Sequence, residues 1–168
     1  MVIVFFVTFG YSWLGVLYEI LLNAIIALIT GKILSSKLFI KEWCLFRTTK
    51  TEQNFYNFIK VKKWKDKVLE LGALGGFRKN KLENSNNEEY LNKFVLEINK
   101  GIADHFFSIF ICLLLFVIPP FINMYYVTIP IVVVAIILNI MPLIVLKYVK
   151  PKIVKLIAYN KQKKERGE

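Results

Sequence analysis

The single histidine of the chain, His105, stands where a charged segment gives way to an apolar one, with Asp104 beside it and Glu97 about two helical turns earlier. Histidine alone has an unperturbed pKa close to neutrality, and a nearby carboxylate orients its ring, so this group is the best candidate for general-base chemistry. The plainer alternative is a polar side chain anchoring a helix end at a membrane surface. Asn139 lies inside a long apolar run near Pro142, where an amide is costly unless it meets a partner or a cavity. It could align a substrate carbonyl or stabilise an oxyanion, although the commoner use of such a residue is a hydrogen bond between helices, worth about 1 kcal/mol. Glu19, with Asn23 one turn on, offers the same choice.

Cationic chemistry is more widely spread. Lys147, Tyr148, Lys150, Pro151, Lys152 and Lys155 follow directly on an apolar run, and Lys63, Trp64 and Lys65 lie in an aromatic, basic stretch. A third group follows glycines, in Gly72-Ala73-Leu74-Gly75-Gly76-Phe77-Arg78-Lys79, a turn that could cradle a phosphate or simply join two helices. Lysines next to an apolar run ordinarily fix membrane topology; as a site they would neutralise the phosphates of a carrier such as coenzyme A or of a lipid head group. A Ser-His-Asp arrangement, a nucleophile elbow, an HxxxxD motif and Asp-rich diphosphate motifs are all lacking. Two cysteines, Cys44 in the polar part and Cys112 in an apolar run, with one histidine, give neither a plausible disulfide nor a metal cluster.

The elements that must hold these residues belong to a membrane. A chain of 168 residues that is 56% hydrophobic with a mean hydropathy of +0.50 is too apolar for an ordinary soluble domain. A spanning helix needs about 20 apolar residues. Runs of this kind cover about residues 2–30, 105–122 and 125–146, the second ending at Pro119-Pro120, where proline stops a helix. The first lacks the basic start and the small-residue cleavage site of a secretory signal, and reads as a retained anchor.

All 23 Lys and Arg fall in two segments, 15 from Lys32 to Lys100 and 8 from Lys147 to Arg166. An even number of crossings separates them, so both belong on the cytoplasmic side, with the N-terminus outside and the C-terminus in the cytoplasm. The net charge of +11 is then a matter of topology, anionic lipid or an anionic substrate, not of nucleic acid.

The expected architecture is an all-α integral membrane protein in one domain, residues 1–168. It has about three transmembrane helices, interfacial amphipathic helices on the cytoplasmic side within residues 31–104, and a basic tail over 147–168. Within 31–104, Lys37 to Phe46 suits a short interfacial helix, and Asn54 to Leu71 reads as one basic amphipathic helix through Phe55, Phe58, Lys65 and Leu69. Glu83 to Glu89 is a solvated turn or helix start, and Tyr90, Phe94, Glu97, Gly101 and His105 recur at helical steps towards the second span.

Several of these segments together resemble the glycosyl-4,4'-diaponeurosporenoate acyltransferase family. They are Phe55-Tyr56-Asn57, the tryptophan-lysine core from Val61 to Lys67, Gly72 to Lys79 with Leu82, and Lys147-Tyr148-Val149-Lys150-Pro151-Lys152, over about residues 43 to 156. Glu97, Lys100 and His105 are similar to the family's Glu-x-x-Arg segment leading into a His, with Lys in place of Arg, and Asn139 falls at the spacing of an intramembrane Asn. The chain departs at Ile102, Phe106, Leu146 and Val149, where relatives carry Glu, Trp, Gln and Asn.

The resemblance implies an acyltransferase at the cytoplasmic membrane, in carotenoid biosynthesis, that acylates a sugar hydroxyl of a glycosylated lipid. A thioester such as acyl-coenzyme A would be the co-substrate, and no other cofactor is implied. His105, aided by Glu97 or Asp104, would take the hydroxyl proton, and Asn139 would stabilise the oxyanion. Lys63, Trp64, Lys65, Arg78, Lys79, Lys100, Tyr148, Lys150 and Lys152 would bind substrates. The rival expectations are a small membrane partner or immunity-type protein acting through helix contacts, as a hetero-complex or homo-oligomer, and a lipid-modifying enzyme of another class.

Overall fold

The computed structural model describes residues 17, 20, 21, 24–26, 28, 29, 37–40, 43–68, 84–114 and 125–167. Among these there is no strand, in keeping with the all-α expectation. The elements are α1 (Lys37–Ile40), a 3-10 turn (Cys44–Phe46), α2 (Lys50–Phe58), α3 (Val61–Trp64), a second 3-10 turn (Lys65–Lys67), α4 (Glu88–Leu114) and α5 (Tyr125–Glu165). They group into two compact units, one of residues 1–34 and 103–141, the other of residues 35–102 and 142–168.

The second unit has a soluble-style core. Leu91, Phe94, Ile98 and Ile102 of α4 and Val145, Val149 and Ile153 of α5 recur at steps of three and four residues, and all are buried. Each fully buried side chain of this size contributes about 1.5–3 kcal/mol. The polar segment is tied to this core by Phe39, Phe46, Tyr56 and Val61, also buried. Gly101 marks a close approach: a Cβ there would lie 2.9 Å from Leu146 Cδ1. At the start of α4, Asn87 Oδ1 accepts from the Tyr90 amide at 3.1 Å, so the Glu83 to Glu89 stretch includes a helix cap.

Two expectations change. The basic amphipathic helix from Asn54 to Leu71 is not continuous. A capping box formed by Thr49 and Glu52 starts α2 at Lys50, and Lys60 adopts a left-handed conformation (φ 53°) that ends it. The break turns Val61 into the core and lets the Trp64 indole donate to the Ile59 carbonyl at 3.0 Å, satisfying one of the acceptors a helix end leaves open. The basic tail is also not separate from the third apolar run, because α5 continues as one helix from Tyr125 to Glu165.

Proline at position 151 lies inside α5 and has no N–H for the Lys147 carbonyl four residues earlier. The Thr48 hydroxyl donates to that carbonyl instead, at 3.0 Å.

The first unit differs in what it exposes. Phe106, Phe107, Phe110, Leu113 and Leu114 of α4 and Ile129, Val133, Ile137, Leu138 and Ile140 of α5 are exposed, as are Leu17, Ile20, Leu21, Ile25 and Leu28. So many large apolar side chains exposed together suit a lipid-facing surface better than a water-facing one. Within α5, the stretch Val132–Glu165 contains a window with a mean hydropathy of 2.4, and it is the one helix among the described residues long and apolar enough to cross a bilayer. Most of the expected first span, including Glu19 and Asn23, lies outside the described residues, as does the part of the second beyond residue 114.

Candidate active site

In the first unit α4 carries His105 and α5 carries Asn139. Across these helices His105 Nδ1 lies 3.0 Å from Asn139 Oδ1, and Asn139 is completely buried. The amide has only one workable orientation. Its Nδ2 donates to the Ala135 carbonyl at 2.9 Å, and the reverse assignment would set two acceptor oxygens against each other. Asn139 Oδ1 is therefore the acceptor, His105 Nδ1 carries the proton, and in the neutral ring Nε2 holds the lone pair. An amide that only accepts from Nδ1 orients the base without adding charge to it. Ser108 and Cys112, one and two turns on from His105, are buried on the same helix.

Asn139 thus makes a bond between helices, one of the two uses that the sequence left open for it, and its Nδ2 donates to the Ala135 carbonyl. Asp104 is half-buried in the same unit. Glu97 belongs to the other unit, where its Oε1 lies 3.0 Å from Lys100 Nζ in an i,i+3 ion pair.

The cationic candidates fall in the second unit. Lys150 is buried, donates to the Phe46 carbonyl at 2.9 Å and has its ammonium 5.8 Å from the Phe46 ring centre. Lys152 is exposed, with its ammonium 3.6 Å from the ring centre of the buried Tyr148. Lys63 is exposed on α3, Lys65 pairs with Asp66 at 2.6 Å, and the Trp64 indole is committed to the Ile59 carbonyl. Arg78 and Lys79, with the glycine-rich turn that precedes them, lie outside the described residues.

Lys147 takes part in a junction that the sequence reading missed. Its ammonium donates to Glu52 Oε1 at 2.7 Å, while Glu52 Oε2 accepts from the Thr49 amide at 2.7 Å. Burial pushes the Glu52 carboxyl up, but the Lys147 hydrogen bond, the Thr49 amide and the Lys147 charge outweigh it and hold the group below its ordinary value. Burial raises the neighbouring Tyr56 phenol to about 12, reinforced by the Glu52 charge and a hydrogen bond to it. The signal for this junction was available: Thr49-x-x-Glu52 is a capping-box spacing, and Pro151 leaves an acceptor at Lys147.

A family model described as glycosyl-4,4'-diaponeurosporenoate acyltransferase matches residues 37–159, well over half of the chain. The chain belongs to this family. The acyltransferase family so named works in carotenoid biosynthesis and is associated with membranes, and the match takes in both His105 and Asn139. Neither a curated protein nor a solved structure matches the chain.

Proposed function

We propose that this chain is a membrane-embedded acyltransferase that moves a fatty acyl group from a thioester donor such as acyl-coenzyme A to a hydroxyl of a glycosylated or lipid-linked acceptor. The observation that carries the reading is the His105–Asn139 pair, which orients the ring so that, when neutral, its basic nitrogen is Nε2. In the reaction the acceptor hydroxyl loses its proton to Nε2 as its oxygen bonds to the thioester carbonyl carbon. The tetrahedral intermediate then expels the thiolate, and His105 returns the proton to that sulfur, giving ester and thiol. Asn139 is a positioning residue in this scheme, and Asp104 supports the imidazolium that forms.

The donor's phosphates would meet Lys63, Lys65, Arg78, Lys79, Lys100 and Lys152 at the cytoplasmic surface. Three spans, with the N-terminus outside and the C-terminus cytoplasmic, agree with the distribution of Lys and Arg and with the exposed apolar side chains of the first unit. Exposed Phe55 and Phe58 suit an interface between water and lipid.

The test is mass spectrometry of lipids from cells making the wild-type chain or His105→Ala together with its genomic neighbours. An acylated lipid present only with wild type, at equal membrane insertion, is expected. Identical lipid profiles would overturn the reading in favour of a non-enzymatic membrane partner.

A further inference from the structure

In the second unit, exposed aromatic rings and exposed cations follow one another along the chain. Phe55 and Phe58, one turn apart on α2, are 52% and 82% exposed. Directly after them Lys60, Lys62 and Lys67 are exposed, and no carboxylate among the described residues pairs with them. Lys65 is engaged by Asp66, and Lys63 is among the cations assigned above to the donor.

The start of α2 is fixed at the edge of an apolar run. Residues 125–146 hold no charged side chain, and Lys147 is the first one after them. The Thr48 hydroxyl donates to the Lys147 carbonyl at 3.0 Å, and Glu52 accepts from the Lys147 ammonium at 2.7 Å, so α2 begins level with the end of that run. Phe55, three residues beyond Glu52, lies within about 5 Å of this level along the helix, a distance comparable to the head-group layer of one leaflet.

A partner for this surface must offer hydrocarbon to the rings and negative charge to the lysines together. A free phosphate offers only the charge, and a zwitterionic leaflet has no net charge to offer. We propose that the segment from Phe55 to Lys67 docks on an anionic phospholipid leaflet, with Phe55 and Phe58 at the acyl boundary and Lys60, Lys62 and Lys67 on the phosphates. One lysine near such a surface favours the docked state about fivefold, and three favour it about a hundredfold. Docking of this segment therefore follows the charge of the lipid, not merely the presence of a bilayer. It rests on the membrane reading above and is independent of acyl transfer by His105.

The experiment uses the full chain with Cys44→Ser and Asn54→Cys, since Cys44 is exposed and Cys112 is buried. A nitroxide is attached at position 54, which is exposed and next to Phe55, in vesicles of phosphatidylcholine alone or mixed with phosphatidylglycerol. In mixed vesicles the label is expected to meet oxygen and to be shielded from a neutral nickel chelate. It should become open to the chelate in phosphatidylcholine alone and in about 1 M salt, which screens the lysines. Lys60→Asn/Lys62→Gln/Lys67→Gln should open it too; asparagine suits the left-handed conformation at position 60. Lys62→Gln/Lys67→Gln, which leaves that position untouched, should open it in part, and Phe55→Ser/Phe58→Ser should open it fully. His105→Ala should leave the label shielded, so loss of acyl transfer does not bear on docking. Equal shielding in both kinds of vesicle, or shielding unchanged by the lysine substitutions, would overturn the proposal. A chain that resists alkaline carbonate extraction but exposes the label in mixed vesicles would overturn it alone, whereas a chain that is extracted would overturn the membrane reading with it.

Discussion

The Thr48 hydroxyl donates to the Lys147 carbonyl at 3.0 Å, across 99 positions of sequence, at the place where Pro151 deprives that carbonyl of its helical partner. A proline inside a long helix ordinarily costs it a hydrogen bond. Here the missing bond becomes an attachment point for the polar segment, reinforced one turn into α2 by the Glu52–Lys147 ion pair at 2.7 Å.

Thr48→Val removes the donor while keeping the shape, and should destabilise the folded chain by about 1 kcal/mol. Pro151→Ala restores an N–H for the Lys147 carbonyl, so in that background Thr48→Val should cost less. Denaturant unfolding of the four proteins in micelles, analysed as a double-mutant cycle, measures the coupling; strict additivity would dissociate the two residues.

Stability should fall in acid through Glu52. Its carboxyl is held below the ordinary value of 4.5 in the folded chain, so the folded state favours the ionised form. That contribution is fully present above about pH 4.5 and is lost as pH falls through the lowered pKa. Glu52→Gln should flatten this part of the profile of unfolding midpoint against pH, and an unchanged slope would remove Glu52 from the explanation.

At the other end of the scale, Tyr56 has its phenol raised from 10.0 to about 12. A raised pKa favours the protonated form in the folded state, so its contribution is whole below pH 10 and disappears as pH rises towards 12. Phenolate absorbance of the wild-type chain minus that of Tyr56→Phe should show one tyrosine titrating late, and a difference curve centred near 10 would contradict it.

His105 is the single histidine, so nitrogen-15 labelling of histidine gives one imidazole to observe. The spectrum should show the proton on Nδ1 in the neutral ring, as the Asn139 acceptor requires. Asn139→Leu should remove that preference and let the Nε2–H form appear. An Nε2–H form in the wild-type chain would reverse the assignment of roles.

The close approach at Gly101 tolerates one methyl group better than a branched chain. The atom that a Cβ would meet is the end of the Leu146 side chain, 2.9 Å away, so Gly101→Ala asks only that Leu146 rotate. Gly101→Leu would overpack a buried contact and should cost about 1–3 kcal/mol more in unfolding experiments. Equal stability of the two variants would mean that this approach is loose.

The sequence by itself determined the helical class, the apolar runs, the segregation of basic residues and the two polar side chains worth attention, His105 and Asn139. These follow from hydropathy and from the rarity of polar groups in apolar stretches, both local properties. The tertiary structure decided which atoms of that pair meet, because tautomer and amide orientation depend on a carbonyl at Ala135 that no spacing rule connects to His105. It also decided the break at Lys60, which has neither glycine nor proline to announce it and is favoured by burying Val61 and by the Trp64 indole bond. Packing also decided that Asn99 is buried, with its Nδ2 on the Phe39 carbonyl and its Oδ1 without a hydrogen-bond partner among the described residues.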